Sequence, residues 1–264
     1  MAEMPVEPPM WEWYTRYYAA VADSHANAMY CERLAGRNLC QHDFTEMSHL
    51  DRLIEMTGMR AGQRVLDMGC GNGCIAEYLS DATGAHVTGI DFIPDAIRQA
   101  RERTRAKADR LDFRVGDMAR LDFPPASFDI IVSIDTLYFT PVDETVPQMK
   151  TLLKPGGQMA IFYSHGREPW VPRETFPTAS TLPDATPLAH ALQASSLLYE
   201  TLDYTADDYR HALRKRAIAE ELRAEFEAES NLFLYENHHG EAVGVAEAIA
   251  EGNHRRYLYH VRLS

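Results

Sequence analysis

The chain has 264 residues, 45% of them hydrophobic, and a formal net charge of -13. That length and apolar content suit one large α/β core with a modest cap. So acidic a chain, without a long Lys/Arg run, does not offer the broad basic surface that a phosphate backbone requires, which argues against nucleic acid as a partner although a local basic groove stays open. The start MAEMPVEPPM has no basic-then-apolar leader, and no window of about eighteen apolar residues occurs, so neither a signal peptide nor a membrane span is expected. Four cysteines, Cys31, Cys40, Cys70 and Cys74, have no secreted context and fit a reduced, cytoplasmic protein. The C-x3-C spacing of Cys70 and Cys74 has no second pair to complete a zinc site.

The first fifty residues are dense in aromatic side chains. At helical spacing Trp11, Tyr14 and Tyr18 share one face, and Trp13 and Tyr17 another. These rings dock an N-terminal helix on the body, and they also suit an aromatic lid, since π faces attract cationic groups and closure excludes water. VLDMGCGNG (Val65 to Gly73) then reads as the end of a buried strand running into a tight turn. The turn's glycines let backbone N–H groups approach a ligand closely. In the dinucleotide fingerprint G-x-G-x-x-G the third glycine packs a helix on the strand; here that place is Cys74, and Asp67 stands two residues before the first glycine. A carboxylate is a poor neighbour for a pyrophosphate and a good one for a cation.

HVTGID (His86 to Asp91) is a second short strand ending in an acid, about twenty residues past the glycines, where a ribose-binding carboxylate is expected. FRVGDM (Phe113 to Met118) looks like a third, FDIIVSID from Phe128 to Asp135 a fourth, and LLKPGGQMAIFY (Leu152 to Tyr163) a helix end, a Pro-Gly-Gly turn and a fifth. Asp95 to Lys107 and Glu144 to Leu153 read as crossover helices, giving a βαβ pattern whose ligands bind beyond the carboxyl ends of the strands.

These five ordered segments resemble the class I S-adenosylmethionine-dependent methyltransferases, of the small-molecule, type 11 kind, whose first motif is D-x-G-x-G-x-G. The resemblance implies an α/β, Rossmann-like, doubly wound seven-stranded sheet, mostly parallel with an antiparallel edge strand, plus helical N-terminal and C-terminal lid segments. It implies S-adenosylmethionine as cofactor: Asp67, Gly69 and Gly71 at its methionine part, Asp91 on the ribose with Phe92 beside it, Asp117 at the adenine amino group, Met118 against the ring, and Ser133 alongside. The stretch from Asn38 to Gln63 resembles the segment before the glycine motif in small-molecule and lipid methyltransferases, where residues near Gln41 and His42 approach the methionine end; Tyr18 is expected to join them.

Downstream, a helix near Pro187 to Ser195, a strand near Leu197 to Asp203 and a last strand near Arg256 to Leu263 complete the sheet, the two strands forming an antiparallel pair at one edge in the family. Between them Thr205 to Gly252 is longer than a hairpin needs. Leu213, Ile218, Leu222 and Phe226 recur at near-helical spacing, so this insertion reads as an amphipathic lid over the substrate. Arg214 to Arg216 is expected to pair at i,i+4 on a solvated face, and Glu236 to His239 as a solvated helix turn. The organisation expected is one methyltransferase domain over 1–264, with an N-terminal helical lid over 1–50, a cofactor-binding core over 51–163, and a substrate cap with sheet-completing strands over 164–264.

Methyl transfer from a sulfonium is an in-line displacement and asks mainly for alignment. A base is needed only where the acceptor must lose a proton; His42, His165 and Glu168 are the candidates, with Tyr14, Tyr138 and Trp170 for substrate binding and no metal. The aromatic, acidic lid suits a small-molecule acceptor of the natural-product kind, with nitrogen or nucleophilic carbon favoured over oxygen. One alternative is C-methylation of a terpenoid or prenyl diphosphate through a carbocation, with Glu168 as base near Trp170, although no Arg/Lys diphosphate clamp is visible. Another is a non-catalytic or NAD-type binding protein, against which Asp67 and Cys74 argue. The aromatic N-terminal helix could also pack on a second copy in a homodimer.

Overall fold

The computed structural model describes residues 8–40, 42–167 and 171–263. Three helices come first: α1 (Pro8–Ala22), α2 (His25–Ala35) and α3 (Met47–Thr57). Alternating strands and helices follow: β1 (Arg64–Met68), α4 (Cys74–Thr83), β2 (His86–Asp91), α5 (Pro94–Arg103), β3 (Leu111–Val115), β4 (Phe128–Ile134), α6 (Val142–Leu152) and β5 (Leu153–Gly166). The chain ends with α7 (Pro187–Ala194), β6 (Leu198–Asp203), α8 (Thr205–Glu221), α9 (Arg223–Ala228), α10 (Leu232–Ala250) and β7 (His254–Arg262).

The strands form a seven-stranded sheet in the order β3-β2-β1-β4-β5-β7-β6. The first five pair in parallel, and β7 runs antiparallel to both neighbours, β5 and β6. The antiparallel strand therefore sits one place inside the edge, and β6 is the edge strand. Central strands are apolar on both faces, as a parallel sheet covered by helices requires: β1 buries Val65, Leu66 and Met68, and β4 buries Ile130, Ile131 and Val132. One core lies on the α6 and α7 face, around Leu66, Ile131, Met149 and Leu192. The other lies on the α3 to α5 face, around Leu53, Val65, Leu79 and Ile97.

β1 pairs with β2 on one side and β4 on the other, so the chain order reverses at β1. An open α/β sheet places its ligand crevice at that switch, beyond the carboxyl ends of the strands. The crevice is roofed by a third cluster in which Tyr17, Tyr30 and Leu34 of α1 and α2 pack on Leu222, Phe226 and Leu234 of the insertion. The N-terminal helices and the insertion thus make one cap. Glu229 ties them further, accepting from the Ser24 hydroxyl at 2.7 Å and the Ala26 N–H at 2.9 Å.

The insertion corrects three expectations. Arg214 and Arg216 do pair with Glu46 and Glu220, but Lys215 between them is fully buried rather than solvated. His238 is buried as well, stacked on Tyr30 with ring centroids 4.1 Å apart and its Nε2 2.8 Å from Asn27 Oδ1. Leu213, assigned to the apolar stripe, is exposed, whereas Leu222 and Phe226 are buried. Among the described residues no helix is long and apolar enough to cross a membrane.

Candidate cofactor and acceptor site

The turn after β1 is built from backbone hydrogen bonds. Gly69 and Cys70 N–H both donate to the Ile90 carbonyl, at 2.9 and 3.0 Å, and Gly71 N–H donates to Asp91 Oδ2 at 2.9 Å. Gly69 and Gly71 have φ of +77° and +53°, the left-handed region that favours glycine. A Cβ on Gly69 would strike the Thr136 side chain 2.6 Å away, and one on Gly71 would run into the Tyr18 hydroxyl. The turn is therefore closed on one side by Thr136, two residues after β4, and roofed by α1.

Below it, Asp67 is buried in β1, and its Oδ2 has no hydrogen-bond partner among the described residues. Burial, reinforced by the charge of Asp91, pushes its carboxyl up to about 7. A buried carboxylate oxygen without a donor is costly, so the site suits a ligand that brings one. An ammonium does this well, and the α-ammonium of S-adenosylmethionine fits that demand. Asp91 is held in place by two backbone donors, Gly71 N–H on Oδ2 and Ile93 N–H on Oδ1 at 2.9 Å, and each oxygen keeps a lone pair for a ribose hydroxyl. Burial pushes its carboxyl up to about 6, against those N–H donors.

Asp67, Gly69, Gly71, Tyr14, Tyr18, His42 and Tyr138 all line one cavity of about 100 Å³ at the carboxyl end of β1. Asp43, Asp135, Tyr138 and Glu241 also line a second cavity, of about 580 Å³, which continues to Phe44, Phe139, Tyr163, His165 and His254. The two cavities meet at this shared wall. Tyr14 and Trp11 lean on Phe92 with ring centroids 6.1 and 5.4 Å away. Trp13 and Tyr17, on the other face of α1, turn to His42 and Phe233 of the cap.

Of the other expected residues, Ser133, Asp117 and Met118 lie outside the lining of both cavities, and His165 belongs to the second. Ser133 is fully buried, and its hydroxyl shares a 2.9 Å hydrogen bond with Thr136, which donates to the Met68 carbonyl at 2.7 Å; it locks the wall of the turn. Asp117, in the loop after β3, accepts from Ala119 N–H at 2.8 Å, and Met118 packs beside Ile90 and Leu66. His165 lines the second cavity with Nε2 3.2 Å from Ser180 Oγ. Gln41, Glu168 and Trp170 lie outside the described residues.

His42 has Nδ1 3.7 Å from Glu241 Oε1 and an Nε2 with no hydrogen-bond partner among the described residues. Burial holds its imidazole below the usual range, with the Lys215 charge adding to this and Glu241 opposing it, so the ring is neutral at neutral pH. Behind it, Arg256 is 1% exposed and binds Asp135 through two hydrogen bonds and Asp208 through a third. Asp43, beside that cluster, is pushed up to about 6 by burial and the neighbouring Asp135 charge.

Asp43, Glu241, Lys215 and Arg256 escaped the sequence reading. Lys215, Glu241 and Arg256 belong to segments far along the chain from the glycine turn, where no spacing rule connects them, and Asp43, though next to His42, carries no motif of its own. A lysine inside an otherwise Glu-rich helix and an arginine in an apolar strand were the available signals, since buried charges are rare unless paired.

A family described as "Methyltransferase domain" matches residues 65–157. Among curated proteins the chain is 37% identical to 27-O-demethylrifamycin SV methyltransferase of Amycolatopsis mediterranei (strain S699) over 114 residues, 42% of this chain and 42% of that protein. The chain thus spans less than half the length of the curated relatives it matches. Among solved structures it resembles Haemonchus contortus phosphoethanolamine N-methyltransferase 2, bound to phosphomonomethylethanolamine and S-adenosylhomocysteine, with a TM-score of 0.68 at 21% identity over 95% of this chain and 60% of that one. It also resembles geranyl diphosphate C-methyltransferase of Streptomyces coelicolor A3(2), with a TM-score of 0.65 at 17% identity over 83% of this chain and 76% of that one. At these identities the two structures establish the fold.

Proposed function

We propose, from the premise that the chain belongs over residues 65–157 to the class I S-adenosylmethionine-dependent methyltransferases, that it methylates a small molecule held in the second cavity. The observation that carries this reading is the unsatisfied carboxylate oxygen of Asp67 in a cavity that abuts a larger, aromatic-walled one. When bound, S-adenosylmethionine supplies an electrophilic methyl group on a positively charged sulfur. The protein's own part is alignment and water exclusion. Asp67 would take the ammonium, Asp91 the ribose hydroxyls, and the N–H groups of the glycine turn the backbone side. Tyr14 and Tyr18 would shield the donor from above.

The acceptor side is acidic and aromatic. Asp43, Asp135 and Glu241 stand with Tyr138, Phe139 and Tyr163, a surrounding that favours an amine-bearing or neutral acceptor with a nucleophilic nitrogen or carbon. For a diphosphate the charge is wrong: among the described lining residues the guanidinium is that of Arg167, which already donates to the Val171 carbonyl at 2.7 Å and lies 3.9 Å from Glu251. Where the acceptor must lose a proton, neutral His42 would take it from the first cavity, which meets the second at Asp43 and Glu241, and His165 would serve the far end of the second cavity as a binding group. With three carboxylates on the wall between the cavities, amine methylation is the reading favoured over prenyl-diphosphate methylation.

Calorimetry with S-adenosylmethionine, S-adenosylhomocysteine and NAD tests the first half. Tight binding of the two adenosyl ligands is expected, and binding of NAD alone would reject the reading. Turnover is then followed by mass spectrometry on panels of amines, phenols and prenyl diphosphates, with a gain of one methyl confined to amines as the expected result.

A further inference from the structure

Lys215 is fully buried at the middle of α8, and its ammonium is spent on the active-site segment. Nζ donates to the His42 carbonyl at 2.7 Å and the Asp43 carbonyl at 3.4 Å, pairs with Glu241 Oε2 on α10, and sits 4.5 Å from the Phe44 ring centre. The other carboxylate oxygen of Glu241 faces His42 Nδ1 at 3.7 Å. An ion pair from the insertion therefore grips both the backbone and the ring of the residue that lines the cofactor cavity.

We propose that Glu241, anchored by Lys215, is a positioning residue that holds His42 as the Nδ1–H tautomer, leaving Nε2 as the proton acceptor of the methyl-transfer site. This rests on His42 being the base in the function proposed above. At 3.7 Å the Nδ1 to Oε1 approach is longer than a hydrogen bond, and catalytic hydrogen bonds commonly tighten only when ligand is bound. The carboxylate opposite Nδ1 stabilises both that tautomer and the imidazolium formed when Nε2 takes the proton, which is the role of the acid behind a catalytic histidine. For an ammonium acceptor, one N–H bond breaks and its proton joins Nε2; the electron pair left on nitrogen would form the bond to the methyl carbon as the carbon–sulfur bond breaks and its pair goes to sulfur, with S-adenosylhomocysteine as the leaving group.

Around the ring lie Trp13 and Tyr17 of α1, edge-on with centroids 4.9 and 5.2 Å away, and His238 of α10, 6.1 Å away. Glu241 and Lys215 stand on its Nδ1 and carbonyl sides, and Asp43 follows it in the chain. Tyr17, like Tyr14 nearby, is held neutral by burial. His238 is likewise held neutral by burial. The charges that set the imidazole are thus one carboxylate raising its proton affinity and one ammonium lowering it.

The test is imidazole nitrogen NMR on the full chain with S-adenosylhomocysteine, reading the tautomer and titration midpoint of His42, assigned by loss of its signals in His42→Asn. The wild type is expected to show Nδ1 protonated and Nε2 bare above the midpoint. Glu241→Gln is expected to lower that midpoint by about one pH unit, because an attractive charge is lost and Lys215 is left unopposed. The exposed Glu236→Gln on the same helix should leave it unchanged. An Nε2–H tautomer in the wild type, or an unmoved midpoint in Glu241→Gln, overturns the proposal. The wild-type tautomer is readable even if Glu241→Gln fails to fold. Failure of S-adenosylhomocysteine to bind the wild type would instead reject the function on which the proposal rests.

Discussion

Arg256 of β7 grips Asp135, the residue after β4, with two hydrogen bonds: Nε to Oδ1 at 2.9 Å and Nη2 to Oδ2 at 2.6 Å. The same guanidinium donates to Asp208 at 3.2 Å and to Thr45 at 2.9 Å, and lies 4.4 Å from the Phe162 ring centre. One buried cation thus joins the sheet, the insertion and the segment that carries His42. Asp135 holds a φ of +51°, an uncommon conformation for a residue other than glycine, and the Arg256 clamp fixes it at the wall between the two cavities.

Removing that clamp leaves two buried carboxylates unpaired. Arg256→Met should destabilise the protein by about 3–5 kcal/mol near pH 8. The loss should shrink at pH 5.5, because Asp208, already pushed up to about 7 by burial even with Arg256 opposing it, then carries a proton. Urea unfolding at the two pH values measures both. Equal losses would show that the carboxylates do not carry the cost.

As the proposed partner of the cofactor's ammonium, Asp67 should make cofactor affinity pH-dependent. Without ligand its carboxyl stands near 7, and an ammonium partner needs it ionised, so binding should release a proton and weaken about tenfold for each pH unit below 7. Calorimetry in buffers of different ionisation enthalpy detects that proton. A folded value raised above the ordinary value of about 3.9 also means that Asp67 costs stability increasingly as pH rises from about 4 to 7. Asp67→Asn should therefore stabilise the ligand-free protein by about 1–3 kcal/mol at pH 8 and by little at pH 4, while weakening cofactor binding at least tenfold.

The first cavity, about 100 Å³, is smaller than the 300–1,000 Å³ or so usual for a site of this kind. Cofactor entry must therefore displace the roof, above all Tyr18, whose hydroxyl stands over Gly71 and whose carbonyl accepts from Gln99 at 3.0 Å. Trp11 and Trp13 ride on the same helix. Binding of S-adenosylhomocysteine should change tryptophan fluorescence, and Gln99→Ala should speed the change in stopped flow by freeing α1. A silent fluorescence signal with tight binding would mean that the roof stays where it is.

Gly71→Ala should cost stability twice, through about 1 kcal/mol of left-handed backbone strain and through contact of the new Cβ with the Tyr18 hydroxyl. In a Tyr18→Ala background only the strain should remain, so the two substitutions are non-additive. Thermal unfolding of the four variants of the cycle gives the coupling, and strict additivity would place Tyr18 elsewhere.

The sheet was legible because its signals are local. β-branched runs ending in acids and the glycines after β1 are each set by neighbouring residues, and they located β1, β2, β4 and β5 and hence the switch at β1 where Asp67 and Asp91 meet. The third strand ends at Val115 rather than running to Asp117, since Gly116 and Asp117 turn the chain as soon as pairing with β2 ends. For His42 the sequence supplied the residue but not its setting. The setting depends on Glu241 and Lys215, roughly 200 and 170 positions away, and on how helices without a strong turn signal fold back over the crevice.

By itself, then, the sequence determined the methyl-donor end: short-range periodicity and glycine placement oblige the chain to form a crevice with a carboxylate at its floor. The tertiary structure alone decided the end proposed for the acceptor. Asp43, Asp135, Glu241 and Arg256 meet there through long-range packing, and only burial turns Lys215 from a surface charge into the anchor of the pair that faces His42.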